Sequence, residues 1–161
     1  MAYYTEVLMI IKFDDLEKIK KNHIGKTIVS TNGAFDMFHY GHLKALKFAK
    51  SQGDILVVGL NSDKSVKCYK SENRPIVPEK QRSMIIDSLK MVDFVYIFDE
   101  PNPINFLEAL KPDIHVKGIE HKNNMVEGKT VIDNNGKIIF MERDPEDVST
   151  SQIIARIKNE T

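Results

Sequence analysis

An α/β chain with a doubly wound parallel sheet is what this sequence predicts, and three observations carry the prediction. Short, nearly continuous apolar runs rich in Val and Ile recur along the chain, and helical patterns alternate with them. A turn crowded with small residues and histidines directly follows the first run, where sheets of this kind place their ligands.

The apolar runs are Thr27 to Ser30, Ile55 to Leu60, Phe94 to Phe98, Ile114 to Val116 and Ile138 to Met141, so a five-stranded sheet is expected. Helical patterns fill Leu43 to Ser51, Glu79 to Lys90, Ile104 to Leu110 and Asn124 to Asn134, the last with Gly136 beyond its end. An N-terminal helix, Asp14 to Lys21, precedes the first strand. Thr150 to Lys158 forms the final helix, and Ser149 with Gln152 makes a capping box at its start. The polar stretch from Lys67 to Pro78 reads as a mobile loop. On this reading residues 1–24 are an N-terminal helical extension and residues 25–161 are a single domain.

A length of 161 residues suits one compact domain that buries most of its apolar surface without disulfides. The longest apolar runs are far too short to span a bilayer. The segment Met1 to Met9 lacks the pattern of a secretory signal, and Cys68 is the single cysteine, so a reducing, cytoplasmic setting is expected. Lys plus Arg equals Asp plus Glu at 23 each, which gives no support for binding nucleic acid or an anionic membrane. Lys18, Lys20, Lys21 and Lys26 do cluster, but Asp14, Asp15 and Glu17 flank them, as on a solvated helix face. Any affinity for phosphate must therefore be local.

The local candidate is Thr31-Asn32-Gly33-Ala34-Phe35-Asp36-Met37-Phe38-His39-Tyr40-Gly41-His42, which leads straight into a helix. Gly33 and Ala34 let backbone approach a ligand, and Gly41 keeps the helix entrance open to an anion. His39 and His42, three apart on the first turn, share a side and can donate to phosphate oxygens and to charge building on a leaving pyrophosphate. One such donor is typically worth roughly 100-fold to 1,000-fold in rate. A zinc site is the weaker reading, because neither an HExxH pattern nor a cysteine cluster supplies further ligands. Both Gly-Lys-Thr triplets lack the glycine five positions earlier, where Lys20 and Asn123 stand, so neither is a P-loop. A GxGxxG fingerprint is also missing after every strand, against hydride transfer.

The run Gly33 to His42 resembles the G-x-F-D-x-x-H-x-G-H signature of cytidylyltransferase-like nucleotidyltransferases. The resemblance continues through Asn61-Ser62-Asp63, Arg74-Pro75-Ile76-Val77-Pro78 with Gln81-Arg82, Lys117-Gly118 and Ser149-Thr150. The Asn-Gly start and the stretch Lys111 to Gly118 are most similar to the nucleotidyltransferase domain of bacterial ADP-heptose synthases. Ala34 stands where those carry a cysteine and Ile119 and Glu120 where Gly-Asp is usual, while Asp147 takes the place of a glycine in the glycerol 3-phosphate cytidylyltransferase pattern. The segment Arg143 to Thr150 is closer to glycerol 3-phosphate cytidylyltransferases.

The resemblance implies a Rossmann-like fold and transfer of a nucleoside monophosphate from an NTP to a small phosphorylated substrate, releasing pyrophosphate. ATP and heptose 1-phosphate are the expected pair. A CTP-dependent enzyme acting on glycerol 3-phosphate or another phosphorylated alcohol or phosphonate is the rival, and a non-catalytic nucleotide-binding module is the alternative of another class. Thr31, Asn32, Gly33, Ala34, Phe35, His39 and His42 would hold the triphosphate, with His39, His42 and Lys70 as the catalytic set. Lys117, Gly118 and Glu120 would border base and ribose, and Arg143, Val148, Ser149 and Thr150 would meet phosphates. Asp36, Lys67, Lys70 and Arg82 would face the incoming substrate, with Asp36 either orienting the loop or touching a metal ion. Mg²⁺ is the expected cofactor, a homodimer the expected assembly, and a separate kinase the expected source of the substrate.

Overall fold

The computed structural model describes residues 9–160. In chain order the elements are β1 (Ile10–Ile11), α1 (Phe13–Asn22), β2 (Ile28–Gly33), α2 (Tyr40–Ser51), β3 (Ile55–Asn61), α3 (Asp63–Tyr69) and α4 (Glu79–Asp87). They continue with β4 (Phe94–Phe98), α5 (Ile104–Leu110), β5 (Ile114–Gly118), a 3-10 turn (Ile119–His121), α6 (Gly128–Asp133), β6 (Lys137–Met141) and α7 (Thr150–Asn159). All strand pairs are parallel, in the order β1-β4-β3-β2-β5-β6.

Alternation along the central strands explains the two covered faces. On β3, Leu56, Val58 and Leu60 join Leu46 of α2 and Ile86 of α4 in one core, while Val57 joins Leu16, Phe106, Leu110 and Val131 in the other. Thus α2 and α4 cover one face, and α1, α5 and α6 cover the opposite one. Each fully buried aliphatic or aromatic side chain contributes about 1.5–3 kcal/mol through water exclusion.

The sheet has six strands rather than five. β1 is only two residues long, too short for any apolar run to announce it. It pairs with β4, Val95 N–H donates to the Met9 carbonyl at 3.0 Å, and Met9 N–H donates to Asp87 at 2.9 Å. The segment set apart as an N-terminal extension is accordingly built into the domain from residue 9 onward, and Leu16 and Ile19 of α1 sit in the second core. Residues 1–8 of that segment lie outside the described residues. The stretch read as a loop from Lys67 starts inside α3, a polar helix whose buried residues are Ser65 and Val66 and whose N-cap is Ser62. The helix expected over Asn124 to Asn134 forms only from Gly128 to Asp133.

The chain leaves β2 for β3 on one side, and β5 later adds on the other. This reversal opens a crevice beyond the carboxyl ends of β2 and β5, where a doubly wound sheet receives its ligand.

Candidate active site

The loop from β2 to α2 departs from ordinary backbone conformations. Phe35 and Met37 take positive φ angles of 48° and 49°, uncommon for residues other than glycine and costing of order 1–3 kcal/mol each. Neighbouring elements hold them there. Arg82 of α4, 1% exposed, donates through Nη1 to the carbonyls of Ala34 and Asn61, through Nε to Val77 and through Nη2 to Asp63 at 2.7 Å. Asp36, equally buried, accepts from Ile76 N–H and Val77 N–H at 2.9 Å and from Arg74 Nε at 2.8 Å. Burial opposes the Asp36 charge, but the two amides and Arg74 outweigh it and keep the carboxyl below its ordinary pKa. From the other end, Thr150 Oγ1 donates to the Asp36 carbonyl at 3.1 Å.

These contacts decide between roles expected from sequence. The Asp36 carboxylate orients the loop and anchors the segment from Arg74 to Val77. Arg82 spends its donors on the protein and does not line the cleft, so it supports the loop instead of facing a substrate. Lys67 also lies outside the cleft lining, on the exposed side of α3.

The histidines cap α2 reciprocally. His39 is the N-cap residue, and its Nδ1 accepts from Gly41 N–H at 3.1 Å. His42 Nδ1 accepts from His39 N–H at 3.4 Å, and the rings stack with centroids 3.8 Å apart. A Cβ on residue 41 would lie 3.0 Å from the His39 ring, so glycine there allows the imidazole to fold over the helix start. With Nδ1 an acceptor in each ring, the neutral imidazole carries its proton on Nε2.

Both rings are held neutral. Phe35 meets His42 edge-on at 5.4 Å and Phe38 lies against it at 5.6 Å. Burial pushes the His42 pKa down to about 3, helped by His39 and Lys70 and opposed by Asp36. Burial, then Arg143, also lowers His39, against Asp147. The site therefore presents two N–H donors rather than two cations.

These groups open onto a cleft of about 580 Å³, within the range of small-ligand sites. Thr31, Asn32, Gly33, Ala34 and Phe35 form one wall with His39 and His42, and Lys117, Gly118 and Glu120, at the end of the neighbouring β5, form the adjoining one. Lys70, Arg143, Val148, Ser149 and Thr150 also line it, as do the carboxylates of Asp36, Glu127, Glu142 and Asp147. The predicted capping box is present at α7, where Ser149 Oγ accepts from Gln152 N–H and Gln152 accepts from Ser149 N–H. Two hydroxyls are already committed to the protein, since Thr31 Oγ1 donates to the Val116 carbonyl at 2.9 Å and Thr150 Oγ1 to Asp36. Lys70 and Arg143 supply positive charge without a carboxylate within ion-pair range among the described residues. Burial, then Arg74, lowers the Lys70 pKa.

Sequence reasoning missed Lys44, Asp147 and Glu127. Lys44 of α2 binds Asp147 at 2.9 Å and Asp144 at 3.4 Å, tying the Arg143 to Ser149 segment to the histidine helix. The carboxylate of Asp147, at the position where the resembled segment carries a glycine, was the available signal for that tie. Glu127 gave none, because it lies ten residues beyond Lys117 and meets it only in the folded chain, at 2.8 Å. The described residues contain no cluster of three His, Cys, Asp or Glu side chains suited to a metal ion, and the Asp36 carboxylate is engaged. A resident Mg²⁺ site built from side chains alone does not fit this arrangement.

Residues 30–156 match the Cytidylyltransferase-like family. Bifunctional protein HldE of Campylobacter fetus subsp. fetus is 44% identical over 149 residues, which are 92% of this chain and 31% of that protein. Bifunctional protein HldE of Helicobacter pylori (strain P12) is 44% identical over 98% of this chain and 34% of its own length. The chain thus spans about a third of the curated relatives it matches. A lipopolysaccharide core biosynthesis protein from Thermoplasma volcanium GSS1 superposes with a TM-score of 0.62 at 28% identity, over 76% of this chain and all of that one. Pantoate-beta-alanine ligase from Francisella tularensis shares the fold, with a TM-score of 0.63 at 19% identity over 93% of this chain and 77% of its own. With its paired histidines at the mouth of α2 and the family match over residues 30–156, the chain belongs to the cytidylyltransferase-like nucleotidyltransferases.

Proposed function

We propose that this chain transfers the nucleoside monophosphate of an NTP, preferentially ATP, to a sugar 1-phosphate, with heptose 1-phosphate the favoured acceptor. The carrying observation is the pair of neutral imidazoles, each with Nδ1 committed to backbone and Nε2–H free to donate, in a cleft that also holds Lys70 and Arg143. An oxygen of the sugar phosphate attacks the α-phosphorus, and the bond from that phosphorus to the α–β bridging oxygen breaks. The electron pair leaves with pyrophosphate, and a nucleotide-activated sugar remains. No protein nucleophile takes part. Nε2–H donors and nearby cations meet the negative charge that grows on the leaving group, which is where preorganised donors act most strongly. Mg²⁺ is expected to arrive coordinated by the nucleotide's own phosphates.

The heptose reading is supported by the relatives named HldE and by the structural likeness to a lipopolysaccharide core biosynthesis protein. A second reading, CTP with glycerol 3-phosphate or a related phosphorylated alcohol, draws on the segment Arg143 to Thr150, which contributes to the same cleft. Pyrophosphate release measured across the four NTPs and a panel of heptose 1-phosphates, glycerol 3-phosphate and phosphonates separates the two. Release with ATP and a heptose 1-phosphate alone supports the first, and release with CTP and a polyol phosphate moves the chain to the second. Silence with every pair would overturn both.

A further inference from the structure

A line of polar side chains runs under the cleft that no step of the transfer uses. Ser30 of β2 and His115 of β5 lie side by side in the sheet, and Ser30 Oγ is 2.8 Å from His115 Nδ1. Both are completely buried. His115 Nε2, with no hydrogen-bond partner among the described residues, lies 3.9 Å from the Glu127 carboxylate. Glu127, 3% exposed, stands immediately before α6, and its Oε1 is 2.8 Å from Lys117 Nζ. Lys117 Nζ in turn donates to Asn32 Oδ1 at 3.0 Å, which brings the line back to β2 at the rim of the cleft.

Chemistry sets the direction of the last link. An ammonium group can only donate, so the carboxamide oxygen of Asn32 must face Lys117 and its NH₂ group must face away. Asn32, Lys117 and Glu127 all border the cleft, and Lys117 is compensated by Glu127, so it adds no net charge there. A buried ion pair is weak support for stability, because packed apolar groups of similar size do as well or better. A function in orientation accounts for its presence where stability does not.

We propose that Glu127 is a positioning residue, which holds the Lys117 ammonium against Asn32 Oδ1 and so turns the Asn32 NH₂ group toward an acceptor oxygen of the bound nucleotide. This rests on the nucleotidyltransferase reading for the identity of the ligand, although the orientation itself exists without ligand. Lys117 then acts through Asn32, and the group that meets the nucleotide from this wall is a neutral amide with a fixed orientation.

The test has a ligand-free arm and a binding arm. In the ligand-free ¹⁵N-labelled protein, the Asn32 NH₂ signal, identified by its loss in Asn32→Ala, should shift or broaden in Glu127→Gln. Calorimetric titration with ATP should then show Asn32→Ala and Glu127→Gln each weakening binding about tenfold, the scale of one hydrogen bond to a charged ligand. The double variant should bind no more weakly than Asn32→Ala alone. Multiplying losses would mean that Glu127 acts independently of Asn32, and an unchanged NH₂ signal would mean that it does not orient the amide; either result overturns the proposal. If Glu127→Gln does not fold by circular dichroism, Glu127→Gln with Lys117→Met, which leaves no unpaired charge, takes its place with the same expectations. Titration with tripolyphosphate and with adenosine locates the acceptor, since the NH₂ signal moves with the first if it is a phosphate oxygen and with the second if it is on the ribose. Movement with neither of these nor with ATP overturns the donor assignment. Failure of the nucleotidyltransferase reading is seen separately, as no pyrophosphate release by the unsubstituted protein, and leaves the ligand-free arm standing.

Discussion

His39 and His42 are effective because they are uncharged donors, and this property sits below the level of the motif. Their three-residue spacing after a strand was visible in the sequence, as was the glycine that makes room for them. Their charge state was not, because it depends on Phe35 and Phe38 folding over His42 and on Nδ1 capping backbone amides. His42→Ala and His39→Ala are each expected to lower kcat roughly 100-fold to 1,000-fold while the circular dichroism spectrum stays native. Wild-type turnover in either variant would end the proposed mechanism. A pH effect follows from the same burial. His42 has a pKa of about 3 in the fold against 6.5 in its ordinary state, so between these values the unfolded chain binds more protons. Its contribution to stability is complete above pH 6.5 and is lost as the pH falls toward 3, at up to about 1.4 kcal/mol per pH unit. Urea titrations between pH 7.5 and pH 5 should show this slope flattened in His42→Asn, apart from the parts due to His39 and His115. Arg82 and Asp36 illustrate the opposite limit of legibility, since their basic and acidic side chains suggested ligand contact and the fold turned both toward its own backbone.

Elements were legible in proportion to their length and apolar continuity. Five strands could be read as apolar runs because parallel strands covered on both faces leave no polar alternation. β1 escaped with two residues, and α3 escaped because its sequence is polar and buries little. At this scale α5 offers a sharp test, since Phe106 is 1% exposed and stacks against Tyr96 and Phe98 of β4. Phe106→Ala should cost about 3–5 kcal/mol, read as a lowered urea midpoint with an unchanged m-value. The tie from α2 to the segment before α7 predicts a kinetic effect instead. Lys44→Ala releases Asp147 and Asp144 and should raise the KM for the NTP about fivefold, the scale of one partly exposed ion pair, with a smaller change in kcat. An unaltered KM would show that Arg143 is placed without this tie.

Over the whole molecule, the two cores share one sheet, so neither can form without the strands that serve the other. Because α1 contributes Leu16 and Ile19 to the second core, its melting should coincide with loss of the sheet. Far-ultraviolet circular dichroism and tyrosine fluorescence are expected to report a single coincident urea transition, and an early helical phase would instead show that α1 melts apart from the sheet, as an extension would. The doubly wound plan was legible in the sequence because strand, helix and turn chemistry all favoured it. The polar line from Ser30 to Asn32 was not, since it is assembled from β2, β5 and the start of α6, which lie far apart in the chain and meet only in the fold.

The two walls of the cleft differ in their freedom to change. One is clamped by Arg82, Asp36 and Thr150 around left-handed residues, so substitutions there disturb several elements at once. The other includes the 3-10 turn Ile119–His121 and the largely exposed residues from there to Val126, with few backbone bonds to the rest of the fold among the described residues. Evolutionary drift, or a directed library, should therefore alter which acceptor or base is selected mainly at positions 119–126, while the histidine wall stays constant across descendants with different substrates.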